Sequence, residues 1–323
     1  MVRRIALASA VLACFQFAGT AAAQEFPNKP LRIIVPFAPG GATDVPTRLI
    51  APKLAETLGQ QVVVENRPGA GGIIGIDAAA KAPADGYTLL MATNAEYTMN
   101  PSIYAKLPYD PFKDFASIGI VAETPMVLAV GAASPYATLP ALIAAARANP
   151  GTVSYSTAGT GSTSHVLTEL MGAEAGVKFL HIPYKGGAPA SAALASGEVA
   201  MSLIAMSSVL QFVRGGKAKV LAVTKLKRLA AYPDWPTADE GGVKGFDEVI
   251  WVGLSAQAAV PRAIINRVSA ETNKAMASAD LREKLAAIGS EAIVSSPDEM
   301  AARISREAAR YGRIIRAANI KQD

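Results

Sequence analysis

Short runs of apolar and β-branched residues alternate along the chain with stretches whose apolar positions recur every three to four residues. The runs are 31–37, 61–65, 87–92, 118–122, 126–130, 153–156, 178–184, 199–204, 219–224 and 250–254. Between them, Val45, Leu49, Ile50, Leu54 and Leu58 share one face of a helix, and segments 138–149, 163–173 and 261–277 carry the same period. Strand, loop and helix in repetition predict an α/β chain with mostly parallel sheets. Two places read as crossings rather than loops. At 121–126 one strand pattern runs through Glu123, Thr124 and Pro125 into the next, and at 220–226 a second extended run leads out of the middle third. A chain that leaves one lobe, builds a second and returns needs such a pair. The expected division is lobe one at 25–123 with 226–323 and lobe two at 124–225; a single large sheet is the alternative.

The first residues follow a different logic. Arg3 and Arg4 precede an apolar run from Ile5 to Phe17, and small residues Ala21, Ala22 and Ala23 close the segment. This predicts a signal peptide at 1–23, cleaved after Ala23, and a periplasmic destination. The run falls short of the roughly 18 residues that span a membrane. Val11-Leu12-Ala13-Cys14 offers a lipobox as the alternative, but apolar residues continue past Cys14, where a polar tether is expected. Cys14 is the only cysteine, so the processed chain has no disulfide, thiol nucleophile or cysteine metal ligand.

Composition narrows the class. With 323 residues, 51% hydrophobic and 18% charged, the chain is long enough for two compact lobes. The formal charge of +5 falls by two when Arg3 and Arg4 leave, and no long basic block remains, which argues against nucleic acid as a partner. Two histidines give a zinc site poor support, and no metal or cofactor is expected.

Two glycine- and hydroxyl-rich segments carry the candidate chemistry. Pro36-Phe37-Ala38-Pro39-Gly40-Gly41-Ala42-Thr43-Asp44 lies between a strand and a helix, with Thr43 or Asp44 as the expected cap. The free N–H groups of such a helix start suit a carboxylate, although a capped turn with no ligand has the same spacing. Pro46 fits the first turn, whereas Pro52 predicts a kink or an early break. In the other lobe, 156–165 reads Ser-Thr-Ala-Gly-Thr-Gly-Ser-Thr-Ser-His, again between strand and helix. Two such starts on opposing lobes would clamp an anion. A secreted serine hydrolase is the rival reading, because Ser162, Ser164 and His165 are near neighbours; the G-x-S-x-G elbow is absent, and His165 reads as a packing or helix-start residue. His181 reads as a core or cleft-wall residue. A third segment, 66–75, misses the dinucleotide fingerprint because Ile74 holds its last glycine position, and Arg67 reads as structural.

Taken together, Val35–Asp44, Val64–Gly72, Asp85-Gly86-Tyr87-Thr88, Leu107-Pro108-Tyr109-Asp110-Pro111, Gly161-Ser162-Thr163-Ser164-His165 and Pro183-Tyr184-Lys185-Gly186 resemble the Bug (TctC-type) family, the substrate-binding proteins of tripartite tricarboxylate transporters. The resemblance implies a type II periplasmic-binding-protein fold, with two α/β lobes joined by two crossing strands around a ligand cleft. It also implies delivery of a small carboxylate to a two-component membrane permease, without catalysis; a monomer is expected. Carried over by position, it points to Phe37, Ala38, Gly41, Thr43 and Asp44 on one lobe and Gly161, Ser162, Thr163 and Ser164 on the other, with Asn94, Glu96 and Tyr184 as cleft-wall candidates. Where that family often has Phe-Asp-Asn, this chain has Leu203-Ile204-Ala205, then Met206. Ile204 and Ala205 make that wall apolar and leave Glu96 as the only evident partner for an ammonium. An aromatic or long aliphatic carboxylate is therefore expected rather than an amino acid. An amino-acid or tricarboxylate binder of the same family, or a ligand sensor with the same cleft, are the alternatives.

Overall fold

The structure is a computed structural model that describes residues 26–317 and 319–321. The segment 1–23 expected to be a signal peptide, with Cys14, lies outside the described residues. The chain begins with β1 (Leu31–Val35), α1 (Asp44–Leu58), β2 (Val62–Asn66), α2 (Ile73–Ala80), β3 (Thr88–Thr93) and the short α3 (Asn100–Ile103). It continues through β4 (Phe115–Gly131), α4 (Leu139–Ala148), β5 (Ser154–Thr157), α5 (Thr163–Ala175), β6 (Leu180–Pro183), α6 (Gly187–Ser196), β7 (Met201–Ala205), α7 (Met206–Arg214) and β8 (Ala218–Val223). β9 (Val249–Gln257), α8 (Arg262–Met276), α9 (Ala279–Ala287), β10 (Glu291–Ala292) and α10 (Pro297–Ala317) complete it.

The apolar runs become strands because both faces of the sheets are covered. Leu31, Ile33, Ile34 and Val35 of β1 are all buried, as are Leu89, Leu90 and Met91 of β3; each such side chain contributes about 2 kcal/mol by leaving water. Helix α1 buries Ile50, Leu54 and Leu58 and ends at Gly59, whose left-handed backbone (φ 70°) terminates the helix. The break expected at Pro52 does not occur: α1 runs through it. Pro52 is exposed, so the carbonyl that its missing N–H leaves unpaired can meet water.

β4 organises the molecule. Its first part, to Pro125, pairs with β9, and its second, from Met126, pairs with β7 and β8. In the first lobe the strands lie in the order β2-β1-β3-β9-β4, and in the second β7, β5 and β6 continue from β4. The parallel pairings are β1 with β2 and β3, and β5 with β6 and β7; every pairing of β4 and β9 is antiparallel. The mostly parallel expectation is corrected on this point. A strand that leaves a lobe and a strand that returns to it run in opposite directions, and here they sit side by side.

Residues 226–248 pack on the second lobe. Ala238, Val243 and Phe246 join the cluster that holds Met126, Leu128 and Leu142, and the Glu248 N–H donates to the Thr224 carbonyl (2.8 Å). The chain then re-enters the first lobe at Val249, opposite Pro125. Helix α10 touches both cores: Met300 and Ile304 pack with Trp251, whereas Tyr311 and Ile315 pack with the second lobe. Near its end, Arg310 and the Tyr311 hydroxyl both bond the buried carboxylate of Glu248. No described helix is long and apolar enough to cross a membrane.

Candidate functional site

After β1 the chain turns through Phe37 and Gly41 into α1. The Val45 N–H donates to Gly41 O (3.0 Å) and the Thr47 N–H to Thr43 O (3.3 Å), so the helix begins with the N–H groups of Ala42, Thr43 and Asp44 unspent within it. Neither expected cap acts as one. Thr43 makes no side-chain capping bond. Asp44 instead braces the turn, accepting from Gly40 N (2.8 Å), Asn66 Nδ2 (2.8 Å) and Arg48 Nε (2.9 Å), while Asn66 also donates to Phe37 O (3.0 Å).

The opposing start, α5, is capped by Ser162, whose Oγ accepts the His165 N–H (3.4 Å) and donates to Gly159 O (2.6 Å). Ser164 Oγ accepts from Ala158 N (3.0 Å) and lies 3.0 Å from Ser162 Oγ. The first intrahelical bond runs from Val166 N to Ser162 O (3.1 Å), which leaves the Thr163 and Ser164 N–H groups as the free donors. His165 stands behind this loop: its Nδ1 accepts the Gly161 N–H (3.2 Å), and its ring stacks on His181 at 4.1 Å. Burial, helped by the neighbouring imidazole, pushes His165 down to about 3, and burial pushes His181 down to about 4. Both rings are therefore neutral near pH 7. His181 Nε2 pairs with Thr157 Oγ1 (2.7 Å). The two serine hydroxyls are thus engaged with backbone and with each other, not with an imidazole, and the hydrolase geometry does not form.

Between the two helix starts lies a small cavity of ≈ 30 Å³. Phe37, Met126, Ile204, Ala205 and Ile250 give it apolar walls, and Thr43, Thr93, Ser162, Thr163, Ser164 and Ser208 bring hydroxyl-bearing side chains to it. None of the lining residues is charged. The lobes meet directly around it. Ala38 N–H donates to Lys185 O (2.9 Å), the Tyr104 hydroxyl to Thr160 O (2.8 Å), and Thr163 Oγ1 to Asn94 Oδ1 (3.0 Å). Gly71 (φ 63°) faces the same loop, and a Cβ there would overlap the Thr160 carbonyl oxygen.

Of the residues singled out in the sequence, Phe37, Gly41, Thr43, Ser162, Thr163, Ser164, Ile204 and Ala205 line the cavity. The others stand back from it. Ala38 is a lobe-to-lobe contact, Asp44 lies inside its turn, and Gly161 packs beneath Tyr104. Asn94 sits behind Thr163, bonded also to Val249 O (3.1 Å). Glu96 is buried behind Thr93, accepting from its N–H and its hydroxyl at 2.6 Å each. Burial pushes this carboxyl up to about 7, and the two Thr93 bonds pull it back part of the way. Tyr184 lines a wider opening beside the cavity, and its hydroxyl donates to Glu198 (2.6 Å). Sequence reasoning missed Ala42, Thr93, Met126, Ala158, Gly187, Ser208 and Ile250 as lining residues. Met126 and Ile250 lie where β4 and β9 cross, and the crossing pattern at Pro125 was the signal that could have found them. Among the described residues, no cluster of three His, Cys, Asp or Glu side chains is placed to hold a metal ion.

The chain matches the family described as tripartite tricarboxylate transporter family receptor over residues 47–320. It is 36% identical over 322 residues to protein BugT of Bordetella pertussis, covering 99% of each chain. Among solved structures, R. palustris Rpa4515 with adipate superposes with a TM-score of 0.89 at 33% identity, over 92% of this chain and 100% of that one. The periplasmic binding protein BugD gives 0.88 at 33% identity with the same coverage. MatC from Rhodopseudomonas palustris, with bound malate, gives 0.86 at 30% identity, over 90% and 100%. Two lobes, two crossing strands and a cavity between helix starts agree with these likenesses, and the chain belongs to the tripartite tricarboxylate transporter receptor family.

Proposed function

We propose that the protein is a periplasmic receptor that closes its two lobes on a small carboxylate and presents it, unaltered, to a two-component membrane permease. One observation carries the reading: two helix starts from opposite lobes bring unspent N–H groups to a single cavity with no charged lining. Neutral donors hold a carboxylate without a permanent ion pair, which suits capture followed by release. The division that goes with this reading takes 25–123 and 226–323 as lobe one and 124–225 as lobe two, with 226–248 lying against lobe two. The ligand contacts in this reading are Phe37, Gly41 and Thr43 of one loop, Ser162, Thr163 and Ser164 of the other, and Ile204 and Ala205 of the apolar wall.

The ligand class follows from the walls. Phe37, Met126, Ile204 and Ile250 favour a carbon skeleton, and Glu96, which stands behind Thr93 and does not line the cavity, offers no partner to an ammonium. Aliphatic or aromatic carboxylates are favoured over amino acids, and the adipate and malate of the two R. palustris structures fall within the carboxylate class. Melting the processed protein against aliphatic, aromatic, tricarboxylic and amino acids tests this. A ligand at 100 times its Kd adds about 2.7 kcal/mol to stability, so the midpoint should rise with carboxylate concentration. A rise with amino acids alone would overturn the wall argument.

A further inference from the structure

Among the described side chains that bury an oxygen without a hydrogen-bond partner, only Ser208 lines the central cavity. It is 1% exposed. A serine at the third position of a helix can return its hydroxyl to the carbonyl four residues earlier, but Ser208 makes no such bond. Its surroundings also supply donors rather than acceptors. α7 starts at Met206 after Ala205, whose methyl cannot cap the helix, and α6 starts at Gly187 after the equally capless Gly186. The two starts touch: a Cβ on Gly187 would stand 2.5 Å from Ser208 Oγ, so glycine is what lets the α6 backbone reach this corner. A buried hydroxyl with its proton unspent, beside two uncapped helix starts, is suited to an incoming acceptor oxygen.

We propose that Ser208 is a specificity-determining residue whose hydroxyl donates to a second oxygen of the bound ligand, so that the cavity selects carboxylates carrying a second carboxyl or a hydroxyl group. The proposal rests on the receptor reading and narrows its substrate class. The first carboxylate occupies the α1 and α5 starts; the second oxygen meets Ser208 in the corner formed by α6 and α7.

The test is calorimetric titration of the processed wild type and of Ser208→Ala with two matched pairs, adipate against hexanoate and malate against butyrate. Wild type should bind the doubly oxygenated member of at least one pair more tightly, and Ser208→Ala should lose roughly 10-fold on that member while its partner is unchanged. Ligand-free Ser208→Ala should melt no lower than wild type, because it deletes an unsatisfied group. A drop of several degrees would show that the hydroxyl serves the fold and would overturn the assignment. Equal affinities of wild type and Ser208→Ala for the oxygenated ligands would overturn it as well, leaving the receptor reading intact. Failure of wild type to bind any of the four would overturn this proposal, while the receptor reading is decided by the melting screen with aromatic and tricarboxylic acids.

Discussion

Glu96→Gln is the most informative single change. Glu96 is 1% exposed, one of its oxygens takes both Thr93 bonds, and the other has no partner among the described residues. Burial dominates and raises the carboxyl from its ordinary 4.5 to about 7. At about 1.4 kcal/mol per pH unit, that gap corresponds to roughly 3 kcal/mol. The sign follows from which form holds the proton. Between pH 4.5 and about 7 the folded protein keeps a proton that the unfolded chain releases, so stability is full below 4.5, falls as pH rises through the window, and is missing above it. His165 and His181 act the other way, because their folded values lie below the ordinary 6.5 and stability is lost as pH falls from there toward about 3 for His165 and about 4 for His181. Glutamine keeps the shape, and its carbonyl oxygen accepts from both the Thr93 N–H and the Thr93 hydroxyl, as the Glu96 oxygen does. Since both proteins carry the same histidines, their difference isolates Glu96. Melted side by side from pH 5 to pH 8, wild type and Glu96→Gln should start close together, and the variant should gain up to roughly 3 kcal/mol by pH 8, on the order of 5 °C. A difference that stays flat across this range would refute the reasoning.

Two further substitutions probe closure and the far end of the chain. Gly71→Ala places a methyl against the Thr160 carbonyl only when the lobes are together; affinity for the bound carboxylate should fall at least ~10-fold by titration, while the ligand-free midpoint reflects only the ~1 kcal/mol cost of a left-handed alanine. Retention of wild-type affinity would show that the two loops can part without loss. Arg310→Met strands the carboxylate of Glu248, which is 3% exposed, with Tyr311 as its remaining side-chain partner; urea denaturation should record a loss of roughly 2–3 kcal/mol, below the fully buried case because Arg310 itself is part-exposed.

Local chemistry made the strand-to-helix loops legible in the sequence. The spacing of glycines and hydroxyls between a strand pattern and a helix pattern marked Gly41, Thr43, Ser162 and Ser164, and the structure brings all four to one cavity. Sequence alone misjudged what a polar residue is doing there. Asp44 looks like a cap or a ligand contact, but Arg48, one turn on, and Asn66, from another strand, claim it. Glu96 looks like a cleft carboxylate, yet Thr93, three residues earlier, shields it. Ser208 and Gly187 escaped notice because nothing near them in the chain distinguishes them; only the meeting of α6 and α7 gives them a common surface. Strand direction failed for a related reason, since β4 and β9 read as ordinary apolar runs and their antiparallel pairing depends on the path between them.

The place of β9 has a consequence for how the molecule comes into being. The strand that fills the middle of the first lobe's sheet, between β3 and β4, is synthesised after the whole sheet of the second lobe, which is complete by Val223. Until residue 257 has been made, β3 and the first part of β4 each present an unpaired edge with apolar faces, the kind of surface that recruits other chains. The later lobe in sequence can therefore mature while the earlier one waits open. A chain cut short before Val249 would be left with a complete second-lobe sheet, lacking the Tyr311 and Ile315 of α10 that pack on it, and with a gap in the sheet of the first lobe.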